Sequence, residues 1–284
     1  MIKRILILFA IAQLSMMSYS QTPKWAEKAK KAVFSVVTYD ANDKILNTGN
    51  GFFISEKGVA ISDYALFKNA QRAVIITSEG EKMPVKAILG ANDMYDVVKF
   101  SVDITSKKVA NLTLSETPMT EGSKLWLLPY STQKVRSLTS GNVNSVDKIS
   151  DYAYYTINLP LKEKMVSCPL MNDEGLVVAL AQKASGQDTA TICYGVDARF
   201  ANSQEITAIS YNDYALKQIG IKKALPETED QALIFLYMVS SQVDAEQYAS
   251  LLNDFIAQYP NSADGYVRRA SNQLILSTDD SSLE

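Results

Sequence analysis

The sequence predicts a mainly β protein with an α-helical C-terminal part. Short segments rich in Val, Ile, Phe and Tyr recur between turn residues at intervals of about 8 to 12 residues as far as residue 200. None of these segments is followed by a long helical pattern before residue 200, which argues against a parallel α/β sheet. After that point the hydrophobic period becomes helical. The predicted architecture is therefore an antiparallel β-sandwich or barrel followed by helices.

The amino-acid composition excludes several kinds of chemistry. The chain has 284 residues, of which 47% are hydrophobic and 21% charged, as in ordinary globular proteins. It contains no histidine and two cysteines, so a Ser-His-Asp triad, a Cys-His dyad, a histidine-ligated metal and a Cys-rich zinc site are excluded. We therefore expect no cofactor and no metal. A net charge of −3 also argues against a nucleic-acid partner.

Residues 1–20 are predicted to be a signal peptide. Two basic residues precede an apolar run over residues 5–17, and Ser18 and Ser20 are small residues at the −3 and −1 positions of a cut before Gln21. A run of about 13 residues at 1.5 Å each is too short for a hydrocarbon core of about 30 Å. We expect cleavage before Gln21, a periplasmic or secreted location, and no membrane span in the mature chain.

The predicted β-domain covers residues 21–205. Its predicted strands include 32–39, 51–55, 73–77, 85–89, 97–102, 124–128, 141–146, 154–158, 169–171, 176–182 and 191–196. The last three form a meander, so the first and third lie about 9 to 10 Å apart. That separation exceeds the limit of about 7 Å between the Cα atoms of a disulfide. Although export would permit a disulfide, Cys168 and Cys193 are predicted to be buried free thiols.

The C-terminal part is predicted to be helical. A helix is expected over residues 204–219, and a linker containing Pro226 follows, so residues 206–228 form a helix and linker. Amphipathic patterns predict further helices at 229–242, at 248–259 and after a break at 259–263. Residues 229–284 fit either a tetratricopeptide (TPR)-like helical-hairpin repeat or a plain helical bundle. The unfinished hairpin predicts that the natural chain continues beyond Glu284.

Six segments, in order, resemble HtrA/Deg-like trypsin-fold serine proteases. Residues 49–67, GNGFFISEKGVAISDYALF, are similar to the family's G-x-G-F-x-I-x-x-x-G-x-I-x-T-N-x-H-V stretch. Further resemblances lie at residues 90–100, 121–126, 139–143, 169–178 and 194–198. The resemblance implies a trypsin-like double antiparallel β-barrel over residues 30–205.

The same resemblance implies that the catalytic triad is incomplete. The family's histidine falls on Ala65, its aspartate on Asp96 and its serine on Val166, while the glycine that shapes the oxyanion hole falls on Lys164. Without a base or a nucleophile the triad mechanism fails, so no catalytic residue is expected. Asp96 has two interpretations: a vestige that caps backbone N–H groups, or part of a new polar pocket.

The leading functional hypothesis is an exported pseudoprotease that acts with its helices as a scaffold for a protein or peptide partner. The alternative is an active peptidase that uses Ser167 or Cys168 as nucleophile with Lys162 or Lys164 as base. A third possibility is that the β-domain only stabilises the helices and binds nothing. The family commonly carries a PDZ domain where this chain has helices, so its partners are not carried over. The oligomeric state remains open.

Overall fold

The computed structural model describes residues 22–104, 108–135, 138–184 and 191–281. The predicted signal peptide lies outside these residues. In the ranges just given, no helix has both the length and the apolar character needed to cross a membrane.

The first barrel is a closed antiparallel sheet of six strands in the order β1-β2-β3-β6-β5-β4. Every neighbouring pair is antiparallel, as the short segments and tight turns of the sequence predict. The strands are β1 (Val33–Tyr39), β2 (Ile45–Phe53), β3 (Val59–Ser62), β4 (Arg72–Ile76), β5 (Lys82–Asn92) and β6 (Val97–Val102). Aromatic side chains fill this barrel: the rings of Phe34 and Phe53 meet edge to face at 4.7 Å, and Phe67 lies 4.9 Å from Phe100.

The second barrel is also closed and antiparallel, in the order β10-β11-β12-β9-β8-β7. Its strands are β7 (Lys124–Leu127), β8 (Thr139–Ile149), β9 (Tyr152–Asn158), β10 (Pro169–Met171), β11 (Val177–Lys183) and β12 (Cys193–Asp197). The predicted meander is confirmed, because β11 pairs with both β10 and β12. Cys168 and Cys193 are buried and free, as this arrangement of strands predicts.

The predicted helix over residues 204–219 is wrong. This segment has only a 3₁₀ turn at Ser210–Asn212 and one helical turn, Tyr214–Lys217. The Ser210 hydroxyl accepts a hydrogen bond of 2.7 Å from the backbone N–H of Thr207, and Asp213 caps the N–H of Leu216 at 3.2 Å. Such local side-chain bonds compete with the continuous ladder of a helix, so the segment breaks into turns.

The helices are short until the C-terminal part. They are α1 (Ala26–Ala29), α2 (Tyr64–Phe67), α3 (Ala198–Ser203), α4 (Tyr214–Lys217), α5 (Glu229–Val239), α6 (Ala245–Gln258) and α7 (Ala263–Ser281). Helix α6 buries the predicted face, with Tyr248, Leu252 and Phe255 in the core. The side-chain amide of Asn272 on α7 donates a 2.8 Å hydrogen bond to the carbonyl of Ala245, which joins α7 to the start of α6. Whether these helices are a TPR-like repeat stays a prediction.

Candidate functional site

The residues aligned with the triad of HtrA/Deg-like proteases lie where the two barrels meet. Asp63 and Ala65 follow strand β3 of the first barrel, and Asp96 precedes β6. In the second barrel, a 3₁₀ turn at Glu163–Met165 leads to Val166 and Ser167 just before β10. These segments come together across the interface, since the side-chain amide of Asn50 in β2 donates to the carbonyl of Val166 at 2.8 Å.

Asp96 is bound to the backbone at Ala65, where the resemblance places the family's histidine. Its Oδ1 accepts a hydrogen bond of 2.7 Å from the N–H of Ala65. Burial raises the pKa of Asp96, and the bond from Ala65 acts in the opposite direction. No imidazole connects this carboxylate to a hydroxyl, so the carboxylate orients the backbone and transfers no proton in a triad.

Asp63 is a buried carboxyl group that no pattern in the sequence marks as a site residue. It occupies the place of the family's Asn in T-N-x-H, and 4% of the residue is exposed. Among the described residues, its Oδ1 has no hydrogen-bond partner. Burial raises the pKa of Asp63 well above its usual value, the Asp96 charge raises it further, and the Ser167 hydroxyl lowers it. The interface therefore contains two interacting acids, which gives Asp96 a polar neighbour as well as a capping role.

Ser167 lies beside this acid pair in a constrained conformation. It is 1% exposed, and its φ of 63° is in the left-handed region that residues other than glycine seldom adopt. Its Oγ lies close enough to influence Asp63, yet no atom of the described residues meets it at hydrogen-bond geometry. The charged group that its hydroxyl influences is the acid Asp63, and neither a lysine nor a histidine is bonded to the hydroxyl in the described part of the chain. A serine nucleophile requires such a base.

The backbone N–H groups at this position are used within the fold. The N–H of Val166 donates to the carbonyl of Glu163 at 3.3 Å, and the N–H of Ser167 donates to the carbonyl of Ala181 at 2.9 Å. An oxyanion hole needs backbone donors that point at the reacting oxygen. With Val166 or Ser167 at the nucleophile position, the donor of that residue is already bonded.

Asn50 connects the two barrels through carbonyl groups. Its side-chain amide donates to the carbonyls of Lys164 at 3.1 Å and Val166 at 2.8 Å, while its own carbonyl accepts from the Ser62 hydroxyl at 2.6 Å. Asn50 occupies the variable place of the G-x-G pattern, so no signal in the sequence marks it as functional. These bonds keep the loop before β10 oriented with two of its carbonyls toward the first barrel.

The alternative nucleophiles lack the environment that activates them. Lys162 and Lys164 are exposed, whereas a Ser–Lys dyad requires a desolvated lysine. Burial raises the pKa of the Cys168 thiol to about 12, so the reactive thiolate is scarce at neutral pH. An active peptidase built from these residues is therefore not favoured. Across the described ranges, no group of three or more His, Cys, Asp or Glu side chains has the arrangement of a metal site.

Comparisons with known proteins support the fold. A family model described as trypsin-like peptidase domain matches residues 49–180. The serine endoprotease from Yersinia pestis is similar with a TM-score of 0.52 and 15% identity, over 62% of this chain and 61% of that one. The HtrA-type protease AlgW, solved with a tripeptide, has a TM-score of 0.52 and 13% identity, over 63% of this chain and 62% of that one. A search of curated proteins gives no match.

Proposed function

We propose that this chain is an exported trypsin-fold pseudoprotease that binds an extended peptide or protein segment, with its C-terminal helices forming a TPR-like repeat segment. The observation that carries the proposal is the 2.7 Å bond from the N–H of Ala65 to Asp96. Asp96 thus orients the backbone at the position where the resemblance places the family's histidine, and the chain contains no histidine that this carboxylate could orient. The two closed barrels enclose a pair of acids, and the chain has no histidine to act as a base. This arrangement supports a trypsin-like fold that is used for binding and not for catalysis.

The edge of strand β11 offers a place for a peptide. The N–H of Ala181 donates to the carbonyl of Cys168 at 3.0 Å, and the carbonyl of Ala181 accepts from Ser167. Because backbone groups alternate between the two sides of an antiparallel strand, the N–H and C=O of Lys183 point to the same side as those of Ala181. Strand β10 begins at Pro169 and does not reach Lys183. An extended peptide that adds a strand here would bond to the backbone of Lys183.

The proposal also includes a location outside the cytoplasm and a protein-contacting surface on the C-terminal helices. The N-terminal pattern of residues 1–20 supports a periplasmic or secreted location. Helix α7 carries exposed apolar side chains at Val267, Leu274 and Ile275, which have the spacing of one helix face. Such a face supports a helical-repeat surface that contacts proteins. The AlgW protease, which is similar to this chain in fold, was solved with a tripeptide, which supports testing this chain with peptides.

A peptide-binding experiment tests the proposal. Peptides selected from a display library against residues 21–284 are synthesised, each with a counterpart in which alternate backbone nitrogens are methylated. If strand addition holds the peptide, we expect methylation to weaken binding at least tenfold, because main-chain hydrogen bonds supply much of the affinity. Failure to select any peptide, or equal binding of the methylated counterparts, would contradict the proposal.

Two variants at one position provide the matched control. Lys183→Pro removes the backbone donor and should weaken peptide binding, whereas Lys183→Ala keeps the donor and should bind like the wild type. Both variants lose the ion pair between Lys183 and Glu163, so that pair does not confound the comparison. Circular dichroism verifies that both remain folded. Equal affinity of the two variants would place the peptide elsewhere.

A further inference from the structure

A cavity of about 520 Å³ lies between the linker and the helices α5 and α6, away from the triad positions. Its size is within the usual range of about 300 to 1,000 Å³ for small-molecule sites. Its floor is apolar: Ile206, Leu216 and Phe235 are buried, and Leu251 is half-buried. A cavity of this kind between two structural units is a common position for a ligand.

Basic side chains line one wall of the cavity. Lys222 forms an ion pair of 2.5 Å with Asp254, so its charge is neutralised within the wall. The half-buried ammonium group of Lys223 donates to the carbonyl of Ile219, and none of the ion pairs within the described part of the chain includes it. Burial lowers the pKa of Lys223, which reflects the cost of keeping its charge there. An anion next to Lys223 would offset that cost.

The backbone groups near the cavity are largely bonded already. The carbonyl of Lys222 accepts from the N–H of Ile88 at 2.8 Å, and the N–H of Ala224 donates to the carbonyl of Ile88 at 2.8 Å. The N–H of Gly220 donates to the carbonyl of Ala70, also at 2.8 Å. A peptide would bring many backbone groups that find no partner here, at a cost for each one buried. A ligand with an apolar body and one charged end meets the walls without that cost.

We propose that this cavity binds a monocarboxylate of the fatty-acid type, with its alkyl chain on Ile206, Leu216, Phe235 and Leu251 and its carboxylate beside Lys223. The alkyl chain gains from burial against the apolar floor. The carboxylate supplies the counter-charge that Lys223 lacks and forms a charge-assisted hydrogen bond. This site is separate from the edge of β11 and does not depend on the proposed peptide binding.

Calorimetric titration of residues 21–284 with dodecanoate, below its micellar concentration, tests the site. We expect saturable binding of one molecule per chain. Dodecanol and dodecyltrimethylammonium have the same alkyl chain without the negative charge and should bind at least tenfold more weakly. Absence of dodecanoate binding, or equal binding of the three probes, would overturn the proposal.

Substitutions at Lys223 separate a specific site from general adsorption. Lys223→Met keeps the length of the side chain and should weaken dodecanoate binding at least tenfold, while Lys223→Arg keeps the charge and should retain it. Lys148 is an exposed residue of β8 in the second barrel, away from the cavity, so Lys148→Met is the control for a general loss of charge. Unchanged affinity in Lys223→Met, or equal losses in Lys223→Met and Lys148→Met, would overturn the assignment.

A further titration tests whether the cavity binds the C-terminal end of a peptide instead of a fatty acid. A hexapeptide of apolar residues with a free C-terminal carboxylate is titrated alongside dodecanoate, with its C-terminally amidated form as control. We expect dodecanoate to bind more tightly than either peptide. Tighter binding of the free-carboxylate peptide, lost in Lys223→Met, would overturn the fatty-acid proposal in favour of a peptide end.

Discussion

Replacing Asp63 with asparagine probes the acid pair at the barrel interface. Asp63 is 4% exposed, its Oδ1 has no partner in the described ranges, and Asp96 lies near enough to raise its pKa. An asparagine has nearly the same shape and cannot ionise. It also restores the residue type that HtrA/Deg-like proteases carry in this motif. We therefore expect Asp63→Asn to stabilise the protein at neutral and alkaline pH.

The sign follows from the raised pKa. The folded state favours the protonated form of Asp63, so its stability is greatest below the unfolded-state pKa of about 3.9 and falls as the pH rises toward the folded-state pKa. Between the unfolded-state and folded-state pKa values, ionisation of Asp63 lowers the free energy of unfolding of the wild type by up to about 1.4 kcal/mol per pH unit. Asparagine has no charge to bury, so the stability advantage of Asp63→Asn should grow by up to about 1.4 kcal/mol for each pH unit between these two pKa values and then level off.

Urea unfolding measured by tryptophan fluorescence from pH 4 to pH 9 gives the free energy of unfolding for both proteins. The advantage of Asp63→Asn should be small at pH 4 and grow with pH, and thermal midpoints should rise by about 2 to 4 °C per kcal/mol. Asp103→Asn, an exposed acid on the same barrel, should show no such trend. Parallel stability curves for wild type and Asp63→Asn would refute the account, as would a loss of stability at pH 8.

Two other predictions concern groups within the barrels. Burial raises the pKa values of Cys168 and Cys193 to about 12, so iodoacetamide at pH 8 should modify both thiols in urea but neither in the folded protein; equally fast modification in the two states would contradict this. Asn50→Ala should lower the free energy of unfolding by about 1 to 3 kcal/mol in urea titrations, because it leaves the carbonyls of Lys164 and Val166 without their shared donor. The exposed Asn142→Ala should cost less, and a larger cost there would argue against the role of Asn50.

The parts of the fold set by local pattern were predictable from the sequence. The strands 169–171, 176–182 and 191–196 follow from apolar runs separated by turn residues, and their short connections require neighbouring strands to pair. That pairing alone separates Cys168 from Cys193. The absence of a histidine is a property of the sequence, so the lack of a triad base could also be predicted before any contact was known.

The acid pair and the loop before β10 could not be predicted. An aspartate in place of an asparagine leaves the hydrophobic pattern unchanged, and the raised pKa of Asp63 depends on its burial and on Asp96 and Ser167, which lie far from it in the sequence. The bonds from Asn50 to the carbonyls of the loop join residues more than a hundred positions apart. The helix predicted over residues 204–219 was wrong for a different reason. Side-chain hydrogen bonds at Ser210 and Asp213 outweigh the helical pattern of this segment.

The proposed pseudoprotease role requires that the barrel interface hold no working nucleophile. Intact-mass spectrometry of residues 21–284 after incubation with diisopropyl fluorophosphate, with trypsin as the positive control, measures this directly. We expect no adduct on this chain under conditions that modify trypsin completely, and no hydrolysis of casein. A single adduct on Ser167 that disappears when the protein is first denatured, together with casein cleavage abolished by Ser167→Ala, would contradict the claim.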